Sequence, residues 1–229
     1  MRRLGLWLGV CLALTAFAFA CGGSDDSPVK ISGEVGVSAV VALTEARVEG
    51  LLDCMQVMAL AAEVKSGEWD AMREMLAKFE EKSIPLTAWF LLPDGSYYTV
   101  DVGLASANLS DRAYFPKVMS GEIAVGDLVV SRSTGRAAMV LAVPVESDGQ
   151  VIGALGVSLF LVELAERIVA DLGSPDVVFY ALSEDGKIAL HSDTDLVMAD
   201  VSALRAVPES AVSKESSLLG WTFVLGVAD

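Results

Sequence analysis

The sequence predicts an α+β fold: a long N-terminal helix packed on an antiparallel β-sheet, followed by a second, abbreviated α+β module. Three observations predict it. Apolar residues recur at helical spacing from Val37 onward. From Leu86 the pattern changes to period two, punctuated by tight turns at Pro93-Asp94-Gly95-Ser96, Thr134-Gly135-Arg136 and Ser147-Asp148-Gly149. A shorter strand–turn–strand unit around Glu184-Asp185-Gly186 then echoes that arrangement. Hairpin-linked strands make an antiparallel sheet rather than a doubly wound one.

Residues 1–20 read as an address. Arg2 and Arg3 precede an uncharged run, Leu4 to Ala20, that ends in Ala18-Phe19-Ala20 before Cys21. This is the layout of a secretory signal. The Cys after a small residue resembles a bacterial lipobox, which makes Cys21 the expected lipidation site. Residues 21–33, opening Gly22-Gly23-Ser24-Asp25-Asp26, read as a lipidated flexible tether. Plain secretion and an uncleaved membrane helix are the alternatives. The expected location is the cell envelope, lipid-anchored on the periplasmic face, with Gly22 after the Cys favouring an outer membrane. No later apolar run is long enough to span a bilayer.

In the 34–173 module, Val37, Val41, Thr44, Val48, Leu51, Met55, Met58 and Ala62 form one helical seam, broken at Lys65-Ser66-Gly67. Such a seam could also pair two copies of the chain, so a homodimer through this helix is an open expectation. Trp69, Met72, Leu76 and Phe79 mark a second helix that stops before Pro85. Strands are expected over 86–92, 97–102, 127–131, 137–145 and 151–161. A loop is expected over 103–110, a short helix from Asp111 with Ser110 or Asp111 as N-cap, and a helix over 163–172 closed by Gly173. The abbreviated module, 174–229, has strands over 177–182 and 187–192, strand character in 216–219 and 221–227, and should lean on the first helix.

The chain has 229 residues, 16 Lys+Arg against 31 Asp+Glu, and a net charge of −15. That balance argues against a nucleic-acid partner. One His and three Cys leave little for a metal site, and neither a metal nor a cofactor is expected. Cys54 is the single cysteine beyond the leader and Cys21, and reads as a small buried hydrophobe. No phosphate-binding loop, dinucleotide fingerprint or nucleophile elbow is present; Ser158 continues into Leu159-Phe160. His191 reads as an exposed polar residue at a strand end. The chain is not expected to be an enzyme.

From Trp89 to Val162 the ordered motifs are specific. They run Leu92-Pro93-Asp94-Gly95-Ser96-Tyr97-Tyr98, then Asn108-Leu109-Ser110-Asp111-Arg112-Ala113-Tyr114-Phe115, then Gly126-Asp127 into Ser131-Arg132-Ser133-Thr134-Gly135, then Pro144-Val145, and last Asp148-Gly149 through Gly153-Ala154-Leu155-Gly156-Val157. The segment resembles the extracellular Cache (PAS-like, PDC) sensor domains of bacterial receptors. The resemblance implies a ligand-binding fold with its pocket between the sheet and the D-R-x-Y-F segment. With no kinase, cyclase or methyl-accepting segment and no spanning helix in the sequence, the chain is expected to be a stand-alone sensor lipoprotein with a membrane-bound receptor or other envelope protein as partner. Arg112 offers a planar fork suited to a carboxylate. Tyr114 and Phe115 can wall an apolar cavity. Ser131, Arg132 and Ser133 lie at a strand end that faces the pocket in the family. Trp89, Tyr98 and Met139 are weaker candidates on sheet strands. Amino-acid-binding members carry a carboxylate where this chain has Ser158, and Ala107 stands near the place of a further tyrosine. The ligand expected is therefore a small carboxylate and not an α-amino acid. The residues also allow blander roles: Arg112 paired with Asp111 at the surface, Tyr114 and Phe115 as core, Arg132 as a solvated turn residue.

Overall fold

The computed structural model describes residues 33–173, 177–204 and 211–227. The expected signal, Cys21 and the tether through residue 32 lie outside the described residues.

Helix α1 (Gly33–Ala59) buries Val37, Val41, Thr44, Val48, Leu51, Met55 and Met58, with Val40, Leu52 and Ala59 widening the stripe. Thr44, the polar member of the seam, is satisfied inside its own helix by donating to the Val40 carbonyl at 2.8 Å. The seam was expected to continue to Ala62. Instead the chain turns at Leu60-Ala61, Ala62 is exposed, and the four-residue α2 (Ala62–Lys65) swings Val64 into the core. Cys54 is exposed, not buried, because it lies beside the Leu51–Met55–Met58 line; its Sγ sits 4.0 Å from Met58 Sδ. Helix α3 (Trp69–Lys82) follows.

The first sheet has six antiparallel strands in the order β3-β2-β1-β6-β5-β4. These are β1 (Leu86–Leu91), β2 (Tyr97–Thr99), β3 (Gly103–Leu104), β4 (Ala124–Val130), β5 (Ala137–Ser147) and β6 (Gln150–Phe160). Strand β3 falls in the segment expected to be loop; it is too short for a periodic signal and pairs only through Tyr98↔Leu104 and Thr99↔Gly103. One face of the sheet meets α1, α3 and α5 (Leu161–Leu172) through Ala88, Phe90, Met139, Leu141 and Val143. The other face carries Trp89, Leu91, Tyr97, Val140 and Ala142, under the loop after β3 and α4 (Tyr114–Met119). With both faces covered, β1 is buried throughout. Helix α4 starts at Tyr114 without a side-chain cap; the Asp111 carboxylate expected to cap it is held by Arg132 instead.

The second sheet has the order β8-β7-β10-β9, from β7 (Val177–Leu182), β8 (Ile188–His191), β9 (Val212–Glu215) and β10 (Thr222–Val227). Phe179, Trp221, Phe223 and Leu225 share one core with α1 and α5. It does lean on the first helix: Ser216 Oγ donates to Glu45 Oε1 at 2.7 Å, and Lys214 Nζ to Ser38 Oγ at 3.2 Å. The strand expected over 216–219 is a turn, closed by Gly220 N–H on the Ser216 carbonyl at 3.0 Å; the strand is the more polar edge segment before it. His191 is 6 % exposed, not a surface residue. It stacks on Tyr180, and burial lowers its pKa, so the neutral ring is favoured.

Gly156 pairs with Trp89, and a Cβ at that position would lie inside the indole ring. Gly156→Ala should therefore destabilise the fold by about 1–3 kcal/mol through overpacking, read as a lower urea midpoint at unchanged m-value. An unshifted midpoint would show that the indole can leave without loss.

Candidate functional site

The candidate site lies on the outer face of the first sheet. It is roofed by a strap, residues 103–113, that crosses between two hairpin turns. On one side the strap is tied to the β1–β2 turn: Asn108 Nδ2 donates to the Asp94 carbonyl at 3.0 Å, and Leu109 N–H to the Gly95 carbonyl at 2.8 Å. Gly95 has φ +84°, and a side chain there would collide with Asn108 and Ser110. On the other side Arg132, on the β4–β5 turn, grips Asp111 with both Nη atoms, each at 2.7 Å, and also donates to the Asn108 carbonyl. That turn is itself fixed. Ser131 N–H donates to the Arg136 carbonyl at 2.8 Å, and Arg136 pairs with Glu163 while lying 3.5 Å over the Phe160 ring.

Under the strap is a cavity of about 10 Å³ lined by Trp89, Tyr97, Leu109, Arg112, Tyr114, Val129, Ser131, Arg132, Ser133 and Ser158. A space of that size holds about one water molecule. Trp89 Nε1 donates to Ser158 Oγ at 3.2 Å, and the indole stacks on Tyr114 with ring centroids 5.9 Å apart. The Ser131 and Ser133 hydroxyls are 3.2 Å apart. Arg112 donates from Nη2 to the Val130 carbonyl at 2.9 Å. Its Nε is buried and has no hydrogen-bond partner among the described residues. An unmatched buried donor of this kind costs free energy until an acceptor reaches it.

Seven of the residues expected at the site thus come together: Trp89, Arg112, Tyr114, Ser131, Arg132, Ser133 and Ser158. Three do not. Phe115 is partly buried in the same apolar cluster but does not line the cavity. Met139 points to the helices. Tyr98 lies on the helix side too, stacked on Trp69 at 5.2 Å, because neighbours on a strand alternate. Tyr97 is the tyrosine that lines the cavity. The hairpin register pairs Trp89 with Thr99 and Leu91 with Tyr97, so counting in twos from Trp89 across the Pro93-Asp94-Gly95-Ser96 turn selects Tyr97. Leu109 and Val129 carried no chemical signal.

Among the described residues no carboxylate lines this cavity. Burial is the main cause that raises the Tyr97 phenol and pushes Tyr114 up to about 12, while Arg112 and Arg132 pull both the other way. Asp111, hydrogen-bonded by Arg132, is held below the ordinary carboxylate range. Two larger clefts have other chemistry. One, about 380 Å³, runs beside β4 and is lined by Asp127, Glu184 and Asp185. The other, about 360 Å³, lies past the end of α1 between Lys65 and Glu146. Among the described residues no group of three or more His, Cys, Asp or Glu could hold a metal ion. Ser158 takes its hydrogen bond from Trp89, whereas His191 belongs to the other sheet.

The raised Tyr114 phenol has a measurable consequence. The unfolded chain releases that proton from about pH 10 and the folded chain nearer 12, so stability should fall as pH climbs through that window. Tyr114→Phe should flatten this part of the slope in denaturant titrations; an unaltered slope would place the hydroxyl in water.

No protein-family model and no curated protein matches the sequence. Solved structures do match in fold. The ligand-binding domain of the Pseudomonas fluorescens chemoreceptor CtaA, in complex with L-serine, superposes with a TM-score of 0.64 at 17% identity, covering 83% of this chain and 93% of that one. The corresponding domain of the Pseudomonas aeruginosa chemoreceptor PctC, in complex with GABA, gives 0.64 at 19% identity, covering 86% and 99%. The extracellular domain of rpHK1S-Z16, named as a histidine kinase, gives 0.69 at 14% identity, covering 86% and 93%. The described chain has the fold of the extracellular Cache, or PDC, sensor domains.

Proposed function

We propose that this chain is a non-catalytic sensor or binding domain for a small organic acid, carried on the cell envelope by a lipid at Cys21 and acting through a partner protein. The observation that carries the reading is Arg112: its Nε is buried and has no acceptor among the described residues, and the residue lines a cavity to which no described residue brings a carboxylate. A carboxylate supplies the acceptor that Nε lacks. The similar CtaA and PctC domains hold L-serine and GABA, which carry an ammonium group. Here the position that could meet such a group is Ser158, already engaged by the Trp89 indole. A buried ammonium would be left without a counter-ion, which is costly. The anchor rests on the sequence around Cys21, and no described helix is long and apolar enough to cross a membrane. On this reading a signal passes by contact with another envelope protein.

The cavity has room for about one water molecule, so the strap must lift for an acid to enter. A ligand of about six heavy atoms has a ceiling near −9 kcal/mol, so micromolar affinity is expected. Calorimetric titration of the full chain with acetate, lactate, pyruvate and malonate should find such a binder. Arg112→Ala should weaken it at least about tenfold, and Arg112→Lys should restore it only in part, because the point charge lacks the fork. Binding that survives Arg112→Ala would overturn the assignment.

The small cavity also favours a second reading, in which the pocket is vestigial and the chain works as an interaction protein through α1. Val57, on α1, and Leu60, just beyond it, are 70% and 69% exposed. On this reading no acid binds, and sedimentation shows a dimer at micromolar concentration that Val57→Asp with Leu60→Asp dissociates. A monomer that binds an acid would sink it.

A further inference from the structure

We infer that Asp111 is a specificity-determining residue: it occupies the guanidinium of Arg132, a residue that lines the cavity, as a built-in carboxylate, and so restricts the site to acids with one negative charge. The inference rests on the organic-acid reading and goes on to name which acids.

Two guanidiniums border the same cavity, and both act on the phenols of Tyr97 and Tyr114. They are not equivalent. Arg132 presents both terminal nitrogens to the two oxygens of Asp111, the geometry in which a planar fork holds an external carboxylate. Arg112 is tied by one nitrogen to the Val130 carbonyl and keeps a buried donor unmatched. One carboxylate against two guanidiniums leaves a single positive charge uncompensated beside the cavity. A monoanion neutralises it. A dianion brings one charge too many unless its second carboxylate takes Arg132 from Asp111.

That exchange is unfavourable for a simple reason. Asp111 is tethered through the strap, so its effective concentration at Arg132 is in the millimolar range or above. A dilute diacid offers Arg132 the same chemistry without the tether. The Asp111 side chain is 65% exposed, so its interaction with Arg132, rather than burial, places it there. It sits on the strap, one residue before Arg112. Whatever holds Asp111 also holds the roof over the Arg112 donor.

The test uses the full chain with acetate and malonate as probes. The wild type should bind acetate at least about tenfold more tightly than malonate. In Asp111→Asn the amide keeps the shape and loses the charge, freeing Arg132. Malonate should then gain at least about ten times more affinity than acetate gains. Without ligand, the strap amides of Leu109 and Arg112 should exchange hydrogen faster in this variant. Arg132→Gln separates selectivity from looseness: it also breaks the latch but leaves no second cation, and should bring no malonate gain. A wild type that prefers malonate, an unchanged acetate-to-malonate ratio in Asp111→Asn, or an equal malonate gain in Arg132→Gln would each overturn the role of Asp111. If in those cases acetate binding is still lost in Arg112→Ala, the organic-acid reading stands alone. Failure of every protein to bind acetate, malonate, lactate or pyruvate would overturn both.

Discussion

Trp89 and Gly156 are direct partners across β1 and β6, and the indole lies over the backbone where a side chain would otherwise stand. The arrangement at the site follows from that contact. The flat indole brings Nε1 to Ser158, two residues along the same strand and on the same face. Its outer surface is a platform for Tyr114, the first residue of α4. Tyr114 is two residues beyond Arg112, so seating its ring fixes how the guanidinium approaches Val130 and the cavity. A methyl group at position 156 would lift the indole and move every one of these groups. The glycine is thus as much a site residue as the arginine, though it offers no functional group.

How much of this was legible in the sequence depends on the length scale of each signal. The α1 stripe repeats over seven turns, and its burial follows the 3.6-residue period nearly to the end. The pattern overruns the last turn because no Gly or Pro marks the bend at Leu60-Ala61; the bend goes with the burial of Val64, a tertiary effect. Cys54 shows the limit of the same pattern, since one step around the helix separates a core position from solvent. Strands β3 and β9 were hidden for opposite reasons. The first has two residues, and the second is an exposed edge whose Ser213, Lys214 and Glu215 look like loop. His191 is covered by Tyr180, a partner on the neighbouring strand that composition does not reveal.

At the site, residue types were more legible than directions. The D-R-x-Y-F segment and the Ser131-Arg132-Ser133 turn meet, although residues 116–130, with most of α4 and all of β4, separate them. Tyr98 and Met139 failed as candidates because a residue type says nothing about which face of a strand it occupies. The register supplies that information, and it selects Tyr97. The partition of the two arginines was beyond reach of any local reading. Arg112 and Arg132 look alike in sequence, and only the strap's path brings Asp111 to one and not the other.

The balance of charge explains why so small a feature can matter in so acidic a chain. At a net charge of −15, the long-range field repels anions, so capture depends on short-range contacts inside a screened hollow. The exposed Arg132–Asp111 pair is of the weak surface kind, which suits a latch that must open. The Arg112 donor is of the other kind: buried, unmatched and beside phenols that burial keeps protonated. Protonated phenols can donate to a carboxylate as well as Nε can, so they add to the anion's welcome instead of competing with it. The fold therefore joins a readily broken contact, Arg132 to Asp111, to a buried donor, Arg112 Nε, that gains most when an acceptor arrives, and the strap carries Asp111 and Arg112 side by side.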